Sequence, residues 1–324
     1  MARHTHRTKI ANILSTDPSL HHGTFPSGAR LSTLRMAWYP LATIQACRAG
    51  IEERSVSLEI SEAIILRTQN YSETSCIAAA LTRQRGVISL IAKGAHRRNK
   101  QWASSLDTLN RVEISYYWKE GRELQIVSEI SLLDDYRLIK GDVQKFLYAL
   151  LPVEIILRGT ERETAVPELY TTFVDLLNDM KTSIADSTTH ATWQALQVMS
   201  LLGYEPHLGT CVHCGTPITA QCGFAYGEGV TCLACHHDTE ITKDEHDMLS
   251  LLTETTEHCP NVTVTPHLFR CIGRFAEHHL DTALRSLRTL LDMTKHLPKE
   301  TSCSPKQVSP LSRNDDMTKS SESL

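Results

Sequence analysis

Arg85-Gly-Val-Ile-Ser-Leu-Ile-Ala-Lys-Gly94 reads as one short β-strand held between two turns. Val87, Ile88, Leu90 and Ile91 favour pleated backbone, and the glycines at either end punctuate it. Working outward, further β-type runs span Ile60 to Thr68 and Cys76 to Thr82 on one side, and Val112 to Trp118 and Leu124 to Ile130 on the other. Arg85-Gly86 and Glu120-Gly121-Arg122 supply turns between neighbours. Five short strands in about 75 residues suit a small closed barrel, because closure removes edges that an open sheet would leave unpaired. The OB-fold is the commonest five-stranded solution.

Beyond Asp134-Asp135, a pair able to cap a helix, the apolar spacing changes to the helical period. Val143, Phe146, Leu147, Leu150 and Leu151 share a face, and Pro167 sits where the first turn of a helix tolerates it. Trp193, Leu196, Met199 and Leu202 continue the pattern until Gly203. A last amphipathic helix is expected from Pro266 to Leu297, with Leu268, Ile272, Phe275 and Leu280 turned to a core. The expected class is therefore α+β: an N-terminal five-stranded OB barrel over 58–135, then an all-helical domain over 136–297 with an inserted cysteine motif at 207–238.

The chain has 324 residues, a formal charge of −4, 41% hydrophobic and 22% charged residues. That length suits two compact units, and that composition a soluble globular protein. Apolar runs such as Leu147 to Leu157 are short and carry Pro152 and Glu154, so no membrane span is expected. Residues 1–57 mix His, Ser, Thr, Pro and Arg without a period and read as an extension outside the folded core, either a transit peptide or translation from upstream of the true start. The Ser- and Lys-rich tail over 298–324 reads as disordered.

Cys211-Val-His-Cys214 and Cys232-Leu-Ala-Cys235 are two CxxC pairs separated by residues 215–231, a zinc-ribbon spacing. Two thiolates three positions apart on a tight turn point at one ion, and a second such turn completes a tetrahedron. Four sulfurs leave no open position, so the expected Zn2+, one ion per chain, is structural. His213, His236 and His237 read as solvated neighbours, Cys222 as a weaker ligand, and Cys76, Cys259 and Cys271 as small buried hydrophobes. Paired spacings without a secretory leader point to a reducing cytoplasm.

A net acidic chain can attract nucleic acid only through a local patch. Arg83, Arg85, Lys93, Arg97, Arg98, Lys100 and Arg111 face a single acid, Asp107, in that stretch. Trp102, Tyr116, Tyr117 and Trp118 lie close in sequence and offer rings for stacking, although Tyr116 and Trp118 on one strand face also fit a core. A solvated loop without a ligand is the alternative. The helical segment from Gly141 to Glu205 is acidic by contrast, which puts the expected DNA face on the barrel.

Ala63-Ile-Ile-Leu66 occurs with Tyr71-Ser-Glu-Thr74, Leu81-Thr82 with Gly86, and Ala92-Lys-Gly-Ala95 before a basic run. Leu201-Leu-Gly-Tyr-Glu-Pro206 leads into Cys211-Val-His-Cys-Gly215, with Gly229-Val-Thr-Cys232 and Cys235 behind, and Arg285-Ser-Leu-Arg288 follows near the end. Together these motifs resemble the RecO family of bacterial recombination mediators over about residues 60 to 295, most specifically in the stretch from Leu201 to Cys235, with Arg285-Ser-Leu-Arg288 resembling the family's C-terminal segment. Residues 1–57 and the tail have no counterpart in that pattern, and His96 stands where a basic residue is common. The resemblance implies binding of single- and double-stranded DNA, annealing of complementary strands, and partnership with RecR and single-stranded DNA-binding protein, with RecF and RecA as further partners.

Annealing by charge neutralisation needs no fuel, and the chain has no GxxxxGK[ST], HExxH or GxSxG motif, so a non-enzyme is expected. Arg270, Arg274, Arg285 and Arg288 beside apolar helical positions would receive the acidic tail of single-stranded DNA-binding protein. Two rivals remain: a zinc-ribbon adaptor or transcription-associated protein whose barrel binds a protein, and a zinc hydrolase with an open metal position.

Overall fold

The structure is a computed structural model that describes residues 56–97 and 102–296. The expected extension and tail lie outside these residues, apart from Val56 and Ser57. Five strands, β1 (Ser57–Asn70), β2 (Cys76–Thr82), β3 (Gly86–Ala92), β4 (Arg111–Trp118) and β5 (Gln125–Asp134), close a barrel in the order β1-β2-β3-β5-β4. The 14-residue β1 serves two neighbours: Ser57–Ile64 pair with β4 and Ala63–Asn70 with β2, all antiparallel. A bulge between Ile65 and Arg67 lets one strand turn that corner. Closure is completed by a short parallel contact, Leu90 and Ile91 of β3 against Gln125 and Ile126 of β5.

The barrel interior is filled by Ala63, Ile65, Ala78, Ala80, Ile88, Leu90, Val112, Ile114, Tyr116 and Trp118. Small residues on β2 and large aromatics on β4 share the interior of so narrow a cylinder. The short helix α1 (Trp102–Ser105), with Leu106 behind it, packs against the same core.

The outward face of the barrel is also apolar where it meets the rest of the chain. Ile64, Leu66, Leu81, Val87 and Leu109 belong to one core with the helices α2 (Arg137–Lys140), α3 (Val143–Gly159), α4 (Pro167–Thr182) and α5 (Ser187–Leu201). This is why Ala63-Ile-Ile-Leu66 is buried on both faces. At the same junction Gly86, at φ +62, brings its backbone so near the α3–α4 connection that an added Cβ would lie 1.9 Å from the Thr164 carbonyl oxygen.

Local chemistry sets the helix ends. Asp142 caps α3 by accepting from the Gln144 and Lys145 amides, and Asp186 caps α5 through Thr188 and Thr189. Asp134 and Asp135 accept from the Tyr136 and Arg137 amides, but the helix they precede is only the four-residue α2. A three-stranded sheet, β7-β6-β8, follows: β6 (Cys222–Ala225), β7 (Gly229–Thr231) and β8 (Thr239–Ile241). Next comes α6 (Lys243–Glu254), opened by a capping box between Thr242 and Glu245.

One expectation is corrected here. The single helix from Pro266 to Leu297 is two, α7 (Pro266–His279) and α8 (Arg285–His296), broken where Asp281 takes φ +47. Acidic side chains from elsewhere hold the break: Glu277 accepts from the Leu284 amide at 2.8 Å, and Glu154 of α3 accepts from the Arg285 and Ser286 amides at 3.2 and 2.8 Å. The second helix thus starts under carboxylates, at the end where its dipole favours negative charge.

Candidate nucleic-acid interface and metal centre

The basic residues that crowd together in sequence are divided in space. Arg83 and Arg85 precede β3 and Lys93 and Arg97 follow it, so the two groups stand roughly 25 Å apart by the rise of an extended strand. Arg98 and Lys100 lie outside the described residues.

At the first end the cations are largely paired. Arg85 grips Glu59 with Nε and Nη2 at 2.7 and 2.6 Å, and its guanidinium lies 3.9 Å from the centre of the Trp118 ring. Tyr116 donates to the same carboxylate at 3.1 Å, and the Arg85 hydrogen bonds hold Glu59 below its usual range. Arg111 is 2.6 Å from Glu62, which also accepts from the Tyr170 hydroxyl of α4 at 2.9 Å. Arg111 therefore ties the barrel to the helices. Arg83 is exposed in the β2–β3 turn.

The second end is different. Lys93 and Arg97 are exposed, and neither forms an ion pair with a described carboxylate. Ala95 is fully buried in the barrel core and pins the turn, while Gly94 adopts φ +74. The His96 amide donates to the Thr74 carbonyl at 3.3 Å and its ring meets Asn70 Oδ1 at 3.2 Å, drawing the β1–β2 turn alongside. That turn carries Tyr71, 64% exposed. Of the aromatics singled out from sequence, Tyr116 and Trp118 are core residues and Trp102 packs on the barrel interior, whereas Tyr117 is outward-facing. Tyr71 is not among the rings that sequence singles out, though an aromatic residue in a polar turn, Asn70-Tyr-Ser-Glu73, is a local sign of an exposed ring.

The cysteines do converge. The sulfurs of Cys211, Cys214, Cys232 and Cys235 all lie within 4.8 Å of one another, with Cys214 and Cys232 at 3.7 Å. Sulfurs about 2.3 Å from a central ion at tetrahedral corners would be about 3.8 Å apart, so the donor set fits a tetrahedral thiolate metal. Each knuckle is a hydrogen-bonded turn: the Gly215 amide donates to the Cys211 carbonyl at 2.8 Å and the Cys235 amide to Cys232 at 3.0 Å. The two are brought together by Val212 donating to Val230 of β7 at 3.1 Å. Gly229 permits a close approach, since a Cβ there would lie 2.3 Å from the His207 carbonyl oxygen.

Burial opposes ionisation of Cys211, but the Cys232, Cys214 and His213 amides outweigh it and bring the thiol down to about 6. Cys235 is pushed up to about 12, first by its hydrogen bond with Cys232. Four neighbouring thiols cannot all ionise unaided, and a bound cation removes that conflict. Cys222 is buried in the main core, and neither it nor His213, His236 or His237 belongs to the four-cysteine cluster. Cys76, Cys259 and Cys271 are buried.

The four arginines expected to meet an acidic tail do not form one patch. Arg274, ion-paired with Glu277 at 2.7 Å, and Arg288 line a cleft of about 170 Å3 between α7 and α8 that also holds Asp292. Arg270 is exposed on α7, and Arg285 opens onto a different groove, between α8, α3 and the barrel. No described helix is long and apolar enough to cross a membrane.

Residues 57–136 match the family described as Recombination protein O N terminal, and residues 140–288 match Recombination protein O C terminal. The DNA repair protein RecO of Bifidobacterium longum subsp. infantis is 33% identical over 242 residues, 72% of this chain and 99% of that protein. RecO of Symbiobacterium thermophilum is 27% identical over 188 residues, 55% of this chain and 72% of the relative. RecO of Alkaliphilus metalliredigens is 24% identical over 228 residues, 68% and 91% of the two chains. With both halves matched in order over the barrel and the helical region, the chain belongs to the RecO family of DNA repair and recombination proteins.

Proposed function

We propose that this chain is a non-catalytic recombination mediator that holds single- and double-stranded DNA at one end of an OB-fold barrel and anneals complementary strands. The strand order β1-β2-β3-β5-β4, with β1 shared between two neighbours, supports the OB reading of residues 58–135. The observation that carries the DNA site is the exposed end formed by Lys93, Arg97 and Tyr71, where the cations lack carboxylate partners among the described residues.

Lys93 and Arg97, continued by Arg98 and Lys100, neutralise phosphates and lower the repulsion between two strands, while Tyr71 stacks on a base. Arg83 adds a distant phosphate contact. Arg85 and Arg111 keep their charge within the protein and act by holding β1 to its neighbours. In this proposal Cys211, Cys214, Cys232 and Cys235 bind one structural Zn2+ within a motif over 207–238 of the helical domain, 136–297. With four sulfur ligands the ion supplies fold, not chemistry.

The partners proposed are RecR and single-stranded DNA-binding protein, with RecF and RecA further along the pathway, in the bacterial cytoplasm. For the acidic tail of single-stranded DNA-binding protein, Arg270, Arg285 and Arg288 lack an ion pair with a described carboxylate, whereas Arg274 is tied to Glu277.

The test is annealing of complementary oligonucleotides coated with the cognate single-stranded DNA-binding protein, comparing wild type with Lys93, Arg97, Arg98 and Lys100 changed to Ala. Slower annealing by the variant is expected. An unchanged rate removes the site, and no annealing by wild type removes the function; an adaptor would show little DNA binding at physiological salt.

A further inference from the structure

The helical domain holds a second group of metal-ligating side chains, distinct from the four thiols. His190, on α5, is 2% exposed, and neither of its ring nitrogens has a hydrogen-bond partner. One turn further on, Gln194 Oε1 is buried and unpartnered as well, although the same side chain donates to the Leu176 carbonyl of α4 at 3.0 Å. Buried polar atoms are rarely left without a partner, so three of them a turn apart on one helix point to something that belongs there.

Asp179, near the end of α4, supplies an anion. Its carboxylate is 11% exposed and stands 3.8 Å from His190 Nε2. It also accepts from His258 Nδ1 at 3.0 Å and from the Cys259 amide at 3.2 Å, both in the segment that joins α6 to α7. An ion about 2.0–2.1 Å from an imidazole nitrogen and a carboxylate oxygen holds the two about 3.3 Å apart, between the two histidine distances observed. The three side chains do not all close on one point as the thiols do, but the His258 ring is 83% exposed and has room to turn inward.

The group borders a cleft of about 640 Å3 whose wall includes Asp175, Asp179, Glu257 and His258 and contains no lysine or arginine. Against these acids stands one cation that acts on His190, Lys145, whose ammonium already donates to the Met180 carbonyl at 3.4 Å. A cationic peptide would meet the acids of the cleft yet leave the buried imidazole without a partner. Mg2+ and Ca2+ favour oxygen donors, whereas imidazole with carboxylate suits a transition ion such as Zn2+.

We propose that Asp179, His190 and His258 form a second metal site, which takes one Zn2+-class ion through His190 Nε2, the Asp179 carboxylate and the inward-turned His258 ring, with water completing the coordination. The ion pins the segment between α6 and α7 onto α4 and α5. The site stands whether or not the chain anneals strands, and whether or not the four thiols carry zinc.

The experiment uses the full chain, stripped of weakly held metal with EDTA, dialysed and titrated with Zn2+. Bound zinc is counted by elemental analysis, and melting temperature is followed against added Zn2+. Wild type is expected to bind one more Zn2+ per chain than H258A or H190Q, each of which should weaken that site at least about tenfold. C214S is expected to keep this ion while losing the other. Added Zn2+ should raise the melting temperature of wild type but not of H258A. Because His258 is exposed, H258A should melt as wild type does in EDTA, so its result stands even where H190Q or C214S fails to fold. Equal zinc content and equal zinc-dependent melting in wild type and H258A overturn the proposal and leave water as the partner of His190. A second ion that H190Q, folded, binds as tightly as wild type belongs to surface histidines and overturns it too.

Discussion

Replacing Arg111 by Met and, in a second protein, Lys93 and Arg97 by Ala separates a cation that holds the fold from cations proposed to hold DNA. Arg111 and Glu62 are 2.6 Å apart with side chains 30% and 37% exposed, so solvent screens much of their attraction. A pair this exposed contributes about 0.2–1 kcal/mol, which is the loss expected in R111M, since Tyr170 still donates to Glu62 there. For a cooperative unit of this size that lowers the melting temperature by up to roughly 4 °C. The slope of log affinity for a single-stranded oligonucleotide against log salt should not change. In K93A/R97A the pattern inverts: the melting temperature stays, and the salt slope falls by about 1.4, from about 0.7 per phosphate contact on a single strand. Thermal melts and anisotropy titrations over a salt series read both quantities. A reduced slope with an unchanged melt in R111M would refute the assignment of that ion pair to the fold.

C214S is expected to abolish stoichiometric zinc and open residues 207–238 to protease, since structural zinc sites contribute on the order of 10 kcal/mol locally; elemental analysis and limited proteolysis check this, and undiminished metal content counts against the four-sulfur site. G86A places a Cβ 1.9 Å from the Thr164 carbonyl oxygen at φ +62, so it should lose at least about 2 kcal/mol in denaturant unfolding. His190, 2% exposed with no hydrogen-bond partner for either ring nitrogen, has its pKa lowered by burial, against the opposing pull of Asp179. The unfolded chain takes up this proton first, so stability should fall as pH drops below about 6.5 towards the lower folded value. H190Q should flatten the melting-temperature profile across that window.

Much of the architecture is written in local pattern. Most barrel strands are short β-type runs closed by turn residues, and the cysteine knuckles are legible because CxxC spacing on a tight turn is itself local. The helix Lys243–Glu254 carries its own signal in Thr242-x-x-Glu245. The division of the cations is not local. A seven-residue strand separates Arg85 from Lys93, and the carboxylates that neutralise Arg85 and Arg111 are 26 and 49 residues away. A count of charges between Arg83 and Arg111 contains neither Glu59 nor Glu62. Tyr71 shows locally as an aromatic residue in a polar turn, but only the fold sets that turn beside His96. The interruption between α7 and α8 depends partly on Glu154, more than a hundred residues earlier, while the apolar period runs across it undisturbed.

The packing of Ile64, Leu66, Leu81, Val87 and Leu109 into the helical core means that the barrel is not a portable module. A chain cut near residue 136 would present that aliphatic wall to water as a sticky surface prone to self-association. Sheet and helices should accordingly melt in one step, and grafting the barrel onto another scaffold would require its outer wall to be rewritten in polar residues first.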